Sequence, residues 1–259
     1  MSIRSICSKA IRTYKSSFIY HKVNSIKGDY CKKIVLENPH KHAKIEMRRE
    51  KQHLLRPVNI DDPIYFNEKL LWLKYNYYNH SKLAAISFNK YEVRKYVEEK
   101  GLSYILNDLI GVWDSVDDIP WGSLPDEYVI KVSNGCAGHV FKRKNEHFSL
   151  EEAKKTLNNT IKRSSYCFKQ SGALYCYGTK QVLICEKLLH SGNDSSAPAD
   201  YKFHCFNGKP VFLEYMKDRD IHKFSSTIVD MDLHDRHELD GYAKSGVVDI
   251  PECFEDMKK

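Results

Sequence analysis

The sequence predicts an α/β protein (α+β in some schemes), with an N-terminal helical region and strands in the second half of the chain. Apolar residues recur at helical spacing up to about residue 100, and short runs rich in β-branched residues follow from residue 128. The 259 residues, 42% of them hydrophobic, suffice for one large domain or two small ones. An aromatic content of 12% argues against intrinsic disorder.

Positive charge is concentrated at the start of the chain. Residues 1–60 contain 14 Lys+Arg and 4 Asp+Glu, a net charge of +10, so the other 199 residues carry −3. This distribution argues against nucleic acid as a partner and restricts any lipid or polyanion contact to a basic arm. The eight cysteines form no Cys-x-x-Cys pair, which favours a reduced, cytoplasmic protein. No apolar run reaches the roughly 18 residues of a membrane-spanning helix.

The first twenty residues have the pattern of a basic amphipathic helix. Three interpretations remain open: a surface helix packed on the body, peripheral contact of residues 1–20 with an anionic membrane at its inner face, and an organelle transit peptide. We therefore predict a basic, largely helical arm over residues 1–60.

Further helices are predicted over about 66–78, from the N-cap Asn89 to Gly101, and from the capping box that begins at Ser149. Strands are predicted over 128–133, 181–185, 201–206 and 210–215. The last two flank Asn207-Gly208, which is the strongest short signal for a β-hairpin.

The most informative segment places Lys131 in an apolar strand, before a loop that contains Gly135 and Gly138. Small residues let backbone N–H groups approach phosphate oxygens, and the lysine supplies a positive charge. The segment is not a Walker A loop, because no Gly-Lys-Ser/Thr follows. A plain β-turn between two strands is the alternative.

Charged side chains mark the strand ends downstream. Glu186 lies at the exit of an apolar strand, Asp200 and Lys202 open the hairpin, and Arg219 follows it. Each alone is typical of a solvated surface. Their order along the chain is more informative: strand lysine, glycine loop, strand glutamate, Asp-x-Lys hairpin, arginine.

This order, and the segments around it, resemble the TupA-like branch of the ATP-grasp superfamily, named for teichuronopeptide biosynthesis. The similar segments cover about residues 60–220. They are Phe66-Asn-Glu-Lys-Leu-Leu-Trp72-Leu-Lys74, Asn89-Lys90-Tyr-Glu-Val-Arg94-Lys-Tyr-Val97, Leu124-Pro-Asp-Glu-Tyr-Val-Ile-Lys131 and Asp200-Tyr-Lys-Phe-His-Cys-Phe-Asn-Gly208-Lys-Pro210. The resemblance implies an ATP-grasp fold whose two subdomains sandwich the nucleotide, with a helical region over 61–125 and the ATP-grasp body over 126–259.

The resemblance also implies roles for single residues. The phosphates would be contacted by Lys90, Lys131 and the 134–138 loop with Asn134, Gly135 and Gly138. Adenine would be contacted by Glu186, Lys187 and Leu188, and the ribose by Asp200. The catalytic cations at the γ-phosphate would be Lys202 and Arg219.

The implied activity is ATP-dependent carboxylate–amine ligation through an acyl phosphate, with ATP and Mg²⁺ as cofactors, in surface or capsular polysaccharide biosynthesis. A uronic-acid- or glutamate-type carboxylate is the implied acceptor. The alternatives are a glycosyltransferase of the same pathway and a non-catalytic nucleotide-binding remnant.

Three departures from the family pattern accompany the resemblance. Asn89 replaces an acid before Lys90, and the loop reads Asn134-Gly-Cys-Ala-Gly138 instead of His-Gly-Ser-Gly. The family's Mg²⁺-binding acids are expected beyond Lys259, so the C-terminal subdomain is expected to be incomplete and no metal ligand is assigned.

Three other motifs are weaker. Asp230-Met-Asp232 matches the Asp-x-Asp with which glycosyltransferases bind a metal, but three-residue motifs often arise by chance. The histidines at His234 and His237 lack zinc-site spacing and indicate a polar loop. Cys136 has no Cys/His/Asn pattern around it and is expected to be a small loop residue.

Overall fold

The computed structural model describes residues 17–49, 56–190, 198–217, 225–239 and 246–258. The chain divides into two compact units, with the boundary between Leu188 and Leu189. Both contain helix and antiparallel sheet, which confirms the predicted α/β class. The predicted boundary at residues 125/126 falls inside the first unit. Across the described ranges, no helix combines the length and apolar composition needed to span a bilayer.

The helices are α1 (Phe18–Glu37), α2 (Pro39–Arg49), α3 (Phe66–Asn76), α4 (Lys82–Phe88), α5 (Glu92–Glu99), α6 (Leu150–Gln170) and α7 (Phe254–Met257). The strands are β1 (Leu109–Trp113), β2 (Tyr128–Val132), β3 (Val140–Lys142), β4 (Leu183–Glu186), β5 (Asp200–Phe206), β6 (Lys209–Lys217) and β7 (Ser225–Asp230). Short 3-10 turns cover Tyr78–His80, Ser103–Ile105, Val116–Asp118, Leu174–Tyr177 and His237–Leu239.

The sheet of the first unit has the strand order β1-β4-β2-β3, and all neighbours are antiparallel. Side chains alternate between its faces. One face packs against α6 through a buried cluster that includes Ile130, Leu183 and, from the helix, Leu157. Because Lys131 and Glu186 have the opposite parity, they lie together on the other face.

Helix α6, which supports this sheet, begins where the sequence predicts it. The Ser149 side chain accepts a hydrogen bond from the backbone N–H of Glu152 at 3.3 Å. Glu151 and Glu152 in the first turn also interact favourably with the positive end of the helix dipole. Past the end of the helix, Gly172 adopts a left-handed φ of +72° that favours glycine.

The helices α1 and α2 belong to the first unit, where α1 packs along α6. Gly28 of α1 lies so close to α6 that an added Cβ would be 3.1 Å from the Cβ of Tyr166. The Gln170 amide donates to the carbonyl of Asn24 at 2.9 Å, and Lys169 pairs with Asp29 at 2.8 Å. The predicted arm is therefore helical and packed over 18–49. Residues 1–16 of the predicted amphipathic helix fall outside the described ranges.

A buried histidine connects α2 to α3 and to the end of α6. The His42 side chain is fully buried; its Nδ1 accepts from the Tyr75 hydroxyl at 2.8 Å, and its Nε2–H donates to the carbonyl of Gln170 at 3.0 Å. This arrangement uses the neutral ring. Burial lowers the pKa of His42 from 6.5 to about 4.

The second unit contains the sheet β5-β6-β7. Asn207 and Gly208 connect β5 to β6 with left-handed φ angles of 51° and 76°, which confirms the predicted hairpin turn. Phe254 of α7 packs in a buried cluster with Leu213 and Val229. All seven cysteines within the described ranges are free thiols.

We predict that acid weakens the fold through His42. The His42 imidazole takes up a proton near pH 6.5 in the unfolded chain, but only near pH 4 in the folded chain. The folded state is therefore favoured by the neutral ring above pH 6.5, and this contribution to stability is lost as the pH falls from 6.5 to 4. Between about pH 7 and pH 5, the free energy of unfolding should fall by about 2 kcal/mol from this group. Urea denaturation at both pH values measures it. His42→Gln should remove this part of the pH dependence, whereas the exposed control His80→Gln should keep it.

Candidate functional site

A buried carboxylate connects two cations on the face of the first sheet opposite α6. The Lys131 ammonium donates to Glu186 Oε2 at 2.7 Å, and the Arg94 guanidinium donates to Glu186 Oε1 at 3.1 Å. Glu186 is only 8% exposed, at the end of β4. The three groups carry a net charge of +1, which suits a site for an anionic ligand.

Arg94 is the residue of this cluster that sequence reasoning missed. It projects from α5 and donates a second hydrogen bond, from Nη2 to the carbonyl of Asn107 at 2.6 Å. The available signal was its place in the family-like segment Asn89-Lys90-Tyr-Glu-Val-Arg94, four residues after Lys90.

Lys90 lies beside the glycine loop. Its ammonium donates to the carbonyl of Gly135 at 2.6 Å, and its backbone N–H donates to the carbonyl of Ser133 at 2.8 Å. Burial lowers the pKa of Lys90, and the positive charge of Lys131 acts in the same direction. The structure therefore brings Lys90, Lys131 and the loop together, as the resemblance implies.

The 134–138 loop packs tightly on α6 through its glycines. A Cβ at Gly138, where φ is +71°, would lie 2.0 Å from the Thr160 hydroxyl. A Cβ at Gly135 would lie 3.0 Å from the Thr160 methyl. The Arg163 guanidinium also donates to the carbonyl of Cys136. These contacts position the loop, so its glycines have a packing reason in addition to any phosphate contact.

Asn134, which the resemblance places at the phosphates, makes its side-chain contacts inside the first unit. Its side chain is buried, accepts from the Gln181 amide at 2.5 Å and donates to the carbonyl of Cys176 at 3.2 Å. Both ends of the amide are thus used inside the first unit. Asn134 anchors the start of the loop.

Asn89 anchors the segment that carries Lys90. Its Oδ1 accepts from the backbone N–H groups of Tyr91 and Glu92 at 2.9 and 3.2 Å, just before and at the first residue of α5. Its Nδ2 donates to the Thr179 hydroxyl at 2.8 Å and to the carbonyl of Lys180 at 2.9 Å. The side chain is fully buried. A carboxylate could not make the second pair of bonds, which gives the asparagine at this position a physical reason.

The strand end assigned to adenine is partly engaged within the first unit. The N–H of Lys187 donates to the carbonyl of Asp108 at 3.0 Å, and its carbonyl accepts from the Asn107 amide at 2.9 Å. Leu188 is buried. A base at this edge would use the second lone pair of the Lys187 carbonyl or the groups that follow.

The second unit holds the remaining assigned residues. Asp200 begins β5, and Lys202 lies directly across from Glu214 of β6, with the Lys202 ammonium 3.4 Å from Glu214 Oε2. Arg219 belongs to the residues without a description.

A possible metal-binding group in this unit does not fit Mg²⁺. The ligand atoms of Asp230, Asp232 and His234 lie within 4.8 Å of one another. However, Asp230 Oδ1 accepts from the N–H groups of Asp232 and His234 at 3.0 and 2.9 Å, and Arg236 lies 3.1 Å from Oδ2. The carboxylate is already used to shape a turn, next to a cation. Asp230, Asp232 and His234 are therefore not assigned as a Mg²⁺ site.

A shallow cavity of about 270 Å³ opens beside Asn134. It does not include Lys131 or Glu186. The hydrogen bonds of Asn134 and the ion pair of Lys169 show that its polar lining is already partnered. The charge cluster, and not this cavity, is the better candidate site.

A comparison with family models decides the classification, because the model of the TupA-like ATP-grasp family matches residues 68–232. The chain belongs to the TupA-like ATP-grasp family. The match covers more than half of the chain and includes Lys90, Lys131 and Glu186. Membership indicates an ATP-grasp type enzyme, and ATP and Mg²⁺ are general ligands of ATP-grasp proteins. Comparisons with curated proteins and with solved structures gave no match.

We predict that Asn89→Asp destabilises the protein by about 2–3 kcal/mol. The variant leaves the Lys180 carbonyl facing a carboxylate oxygen and buries a charge without a cation partner. Chemical denaturation measures the change. Asn76→Asp, at an exposed position of α3, is the matched control and should change stability by less than about 0.5 kcal/mol. Equal stability of the two variants would contradict the assigned donor role of Asn89.

Proposed function

We propose that this protein is an ATP-dependent carboxylate–amine ligase that acts through an acyl phosphate. The single observation that supports this most is the buried Lys131–Glu186–Arg94 cluster, with Lys90 at the adjoining glycine loop, inside the family-matched region.

The proposed reaction has two displacements. A carboxylate oxygen of the acceptor attacks the γ-phosphorus of ATP, and ADP leaves. An amine then attacks the acyl carbon, phosphate leaves, and an amide forms with loss of the amine proton. Phosphoryl transfer needs positioning and charge neutralisation more than covalent help from the protein.

The cations of the first unit are proposed to supply this neutralisation. Glu186 holds Lys131 and Arg94 in fixed positions, so their charges need little rearrangement when a polyphosphate binds. Lys90 lies beside the same site, and its ammonium can replace the hydrogen bond to the Gly135 carbonyl with one to a phosphate oxygen. On the family resemblance, Lys202 and Arg219 are proposed as γ-phosphate cations and Asp200 as the ribose-binding acid.

The proposed setting is surface or capsular polysaccharide assembly in the cytoplasm, with a uronic-acid- or glutamate-type acceptor. Family membership is what supports this setting. Asp230 Oδ1 already accepts from two backbone N–H groups of a turn, which argues against a metal-binding role of Asp230-Met-Asp232 in a glycosyltransferase.

The first prediction from this proposal concerns ATP affinity. Lys131→Ala should weaken ATP binding by about 1.5–3 kcal/mol, the range of a charge-assisted contact. Titration calorimetry measures it. Lys144→Ala, at an exposed lysine of the same unit, should bind ATP like the wild type. Unchanged affinity in Lys131→Ala would refute the site, and tighter binding of a UDP-sugar than of ATP would favour the glycosyltransferase.

The second prediction concerns the acyl phosphate. With ATP and a panel of uronic acids and glutamate-type acceptors, hydroxylamine should intercept the intermediate as a hydroxamate, with one ADP formed per hydroxamate. Arg94→Ala should reduce this yield, because Glu186 then loses one of its two cations. If ATP binds but no acceptor gives a hydroxamate, the protein binds the nucleotide without ligating these acceptors, and the ligase proposal is wrong for them.

A further inference from the structure

Helix α1 has one face packed on the first unit and another that is exposed and apolar. The packed face includes Gly28, Cys31 and Val35, all buried. The exposed side chains, which we call the α1 apolar stripe, are between 52% and 77% exposed; they are Phe18, Ile19, Val23, Ile26 and Tyr30. An apolar surface of this kind, continuous along a helix, indicates a binding surface.

Lysines border the stripe on both sides. At 100° per residue, Lys22 and Lys33 lie between Phe18 and the other four side chains of the stripe, and Lys27 lies past the opposite edge; all three lysines are exposed. The Lys22 ammonium lies 5.9 Å from the centre of the Phe18 ring. The Lys41 ammonium lies 5.7 Å from the centre of the Tyr30 ring and donates to the Tyr30 hydroxyl at 3.2 Å.

The acids of α1 balance only part of these charges. Asp29 is paired with Lys169 of α6 at 2.8 Å. Glu37, at the last turn, is 3.9 Å from Lys33. The surface around the stripe is therefore positive, and residues 1–60 as a whole carry a net charge of +10.

We propose that the α1 apolar stripe docks the protein on an anionic lipid bilayer. A helix that lies in the bilayer interface buries an apolar strip among the acyl chains while lysines at its edges reach the headgroups. The lysines beside Phe18 and Tyr30 have this arrangement. The cations add attraction to anionic lipid that falls with salt.

Charge argues against two other partners for the stripe, which are the α1 helix of a second copy of the chain and residues 1–16 of the same chain. In a symmetric pair of α1 helices, the lysines at the stripe edges of one copy would face those of the other. The stripe, from Phe18 to Tyr30, is also shorter than the three to four heptads typical of a coiled coil. Residues 1–16 contain four cations and no acid, so the same repulsion opposes their packing on the stripe.

The test measures partitioning of the full chain onto vesicles of phosphatidylcholine with roughly one-third phosphatidylglycerol. Val23→Ser/Ile26→Ser and, separately, Lys22→Glu/Lys27→Glu should each weaken partitioning at least ten-fold. The matched controls are Ile64→Ser/Ile105→Ser, which changes similarly exposed apolar residues, and Lys82→Glu/Lys95→Glu, and both should partition like the wild type. Circular dichroism and thermal unfolding check that each variant is folded.

Several outcomes would overturn the proposal. They are absence of wild-type binding to the anionic vesicles, equal binding to pure phosphatidylcholine, and equal losses in the α1 variants and their controls. A dimer that Val23→Ser/Ile26→Ser dissociates would assign the stripe to a second copy. Loss of vesicle binding in Ile6→Ser/Ile11→Ser, with the α1 variants unaffected, would move the contact to residues 1–16.

Discussion

The shared carboxylate of Glu186 is the interaction on which the candidate site depends. A buried charge is strongly destabilising without partners, and this one accepts from cations on two separate elements, Lys131 of β2 and Arg94 of α5. Glu186 therefore compensates the charges of the two cations and also holds them at a fixed distance from each other. Because Arg94 also donates to the carbonyl of Asn107, the same network holds the strand end at Lys187.

Some residues in the family-like segments serve structure and not chemistry. Glu68 is fully buried and accepts from the N–H groups of Asn59, Ile64 and Tyr65 at 2.8 to 3.1 Å, and from Arg56 at 2.7 Å. Burial acts to raise the pKa of Glu68, but these donors outweigh it and lower the pKa. One carboxylate thus organises the loop before α3. Asn89 does the same for the turn that carries Lys90. The segments that resemble the family therefore contain residues that stabilise the fold as well as residues of the candidate site.

Local signals predicted the elements that depend on local chemistry. The Ser149 cap, the Asn207-Gly208 turn and the apolar run around Lys131 each act within a few residues, and all three occur as predicted. The missed strands depend on distant partners. Strand β1 contains Gly111, which weakens a strand signal, and the Trp113 ring packs over this glycine, where a Cβ would lie 2.5 Å from the ring. Strands β3 and β7 are short runs that the pairing with β2 and β6 stabilises.

The candidate site divides along the same line. Its phosphate-side lysines and the glutamate were predicted because they stand in strand and loop patterns with an order that resembles a family. The role of Arg94 could not be predicted locally, since its partner Glu186 is 92 residues away along the chain and the fold brings the two together. The contacts of Lys187 and Asn134 could not be predicted for the same reason. The backbone of Lys187 bonds to Asn107 and Asp108, and the side chain of Asn134 bonds to Gln181. A backbone or amide group can be assigned to a ligand only after its contacts within the fold are known, and these contacts join segments that no local pattern connects.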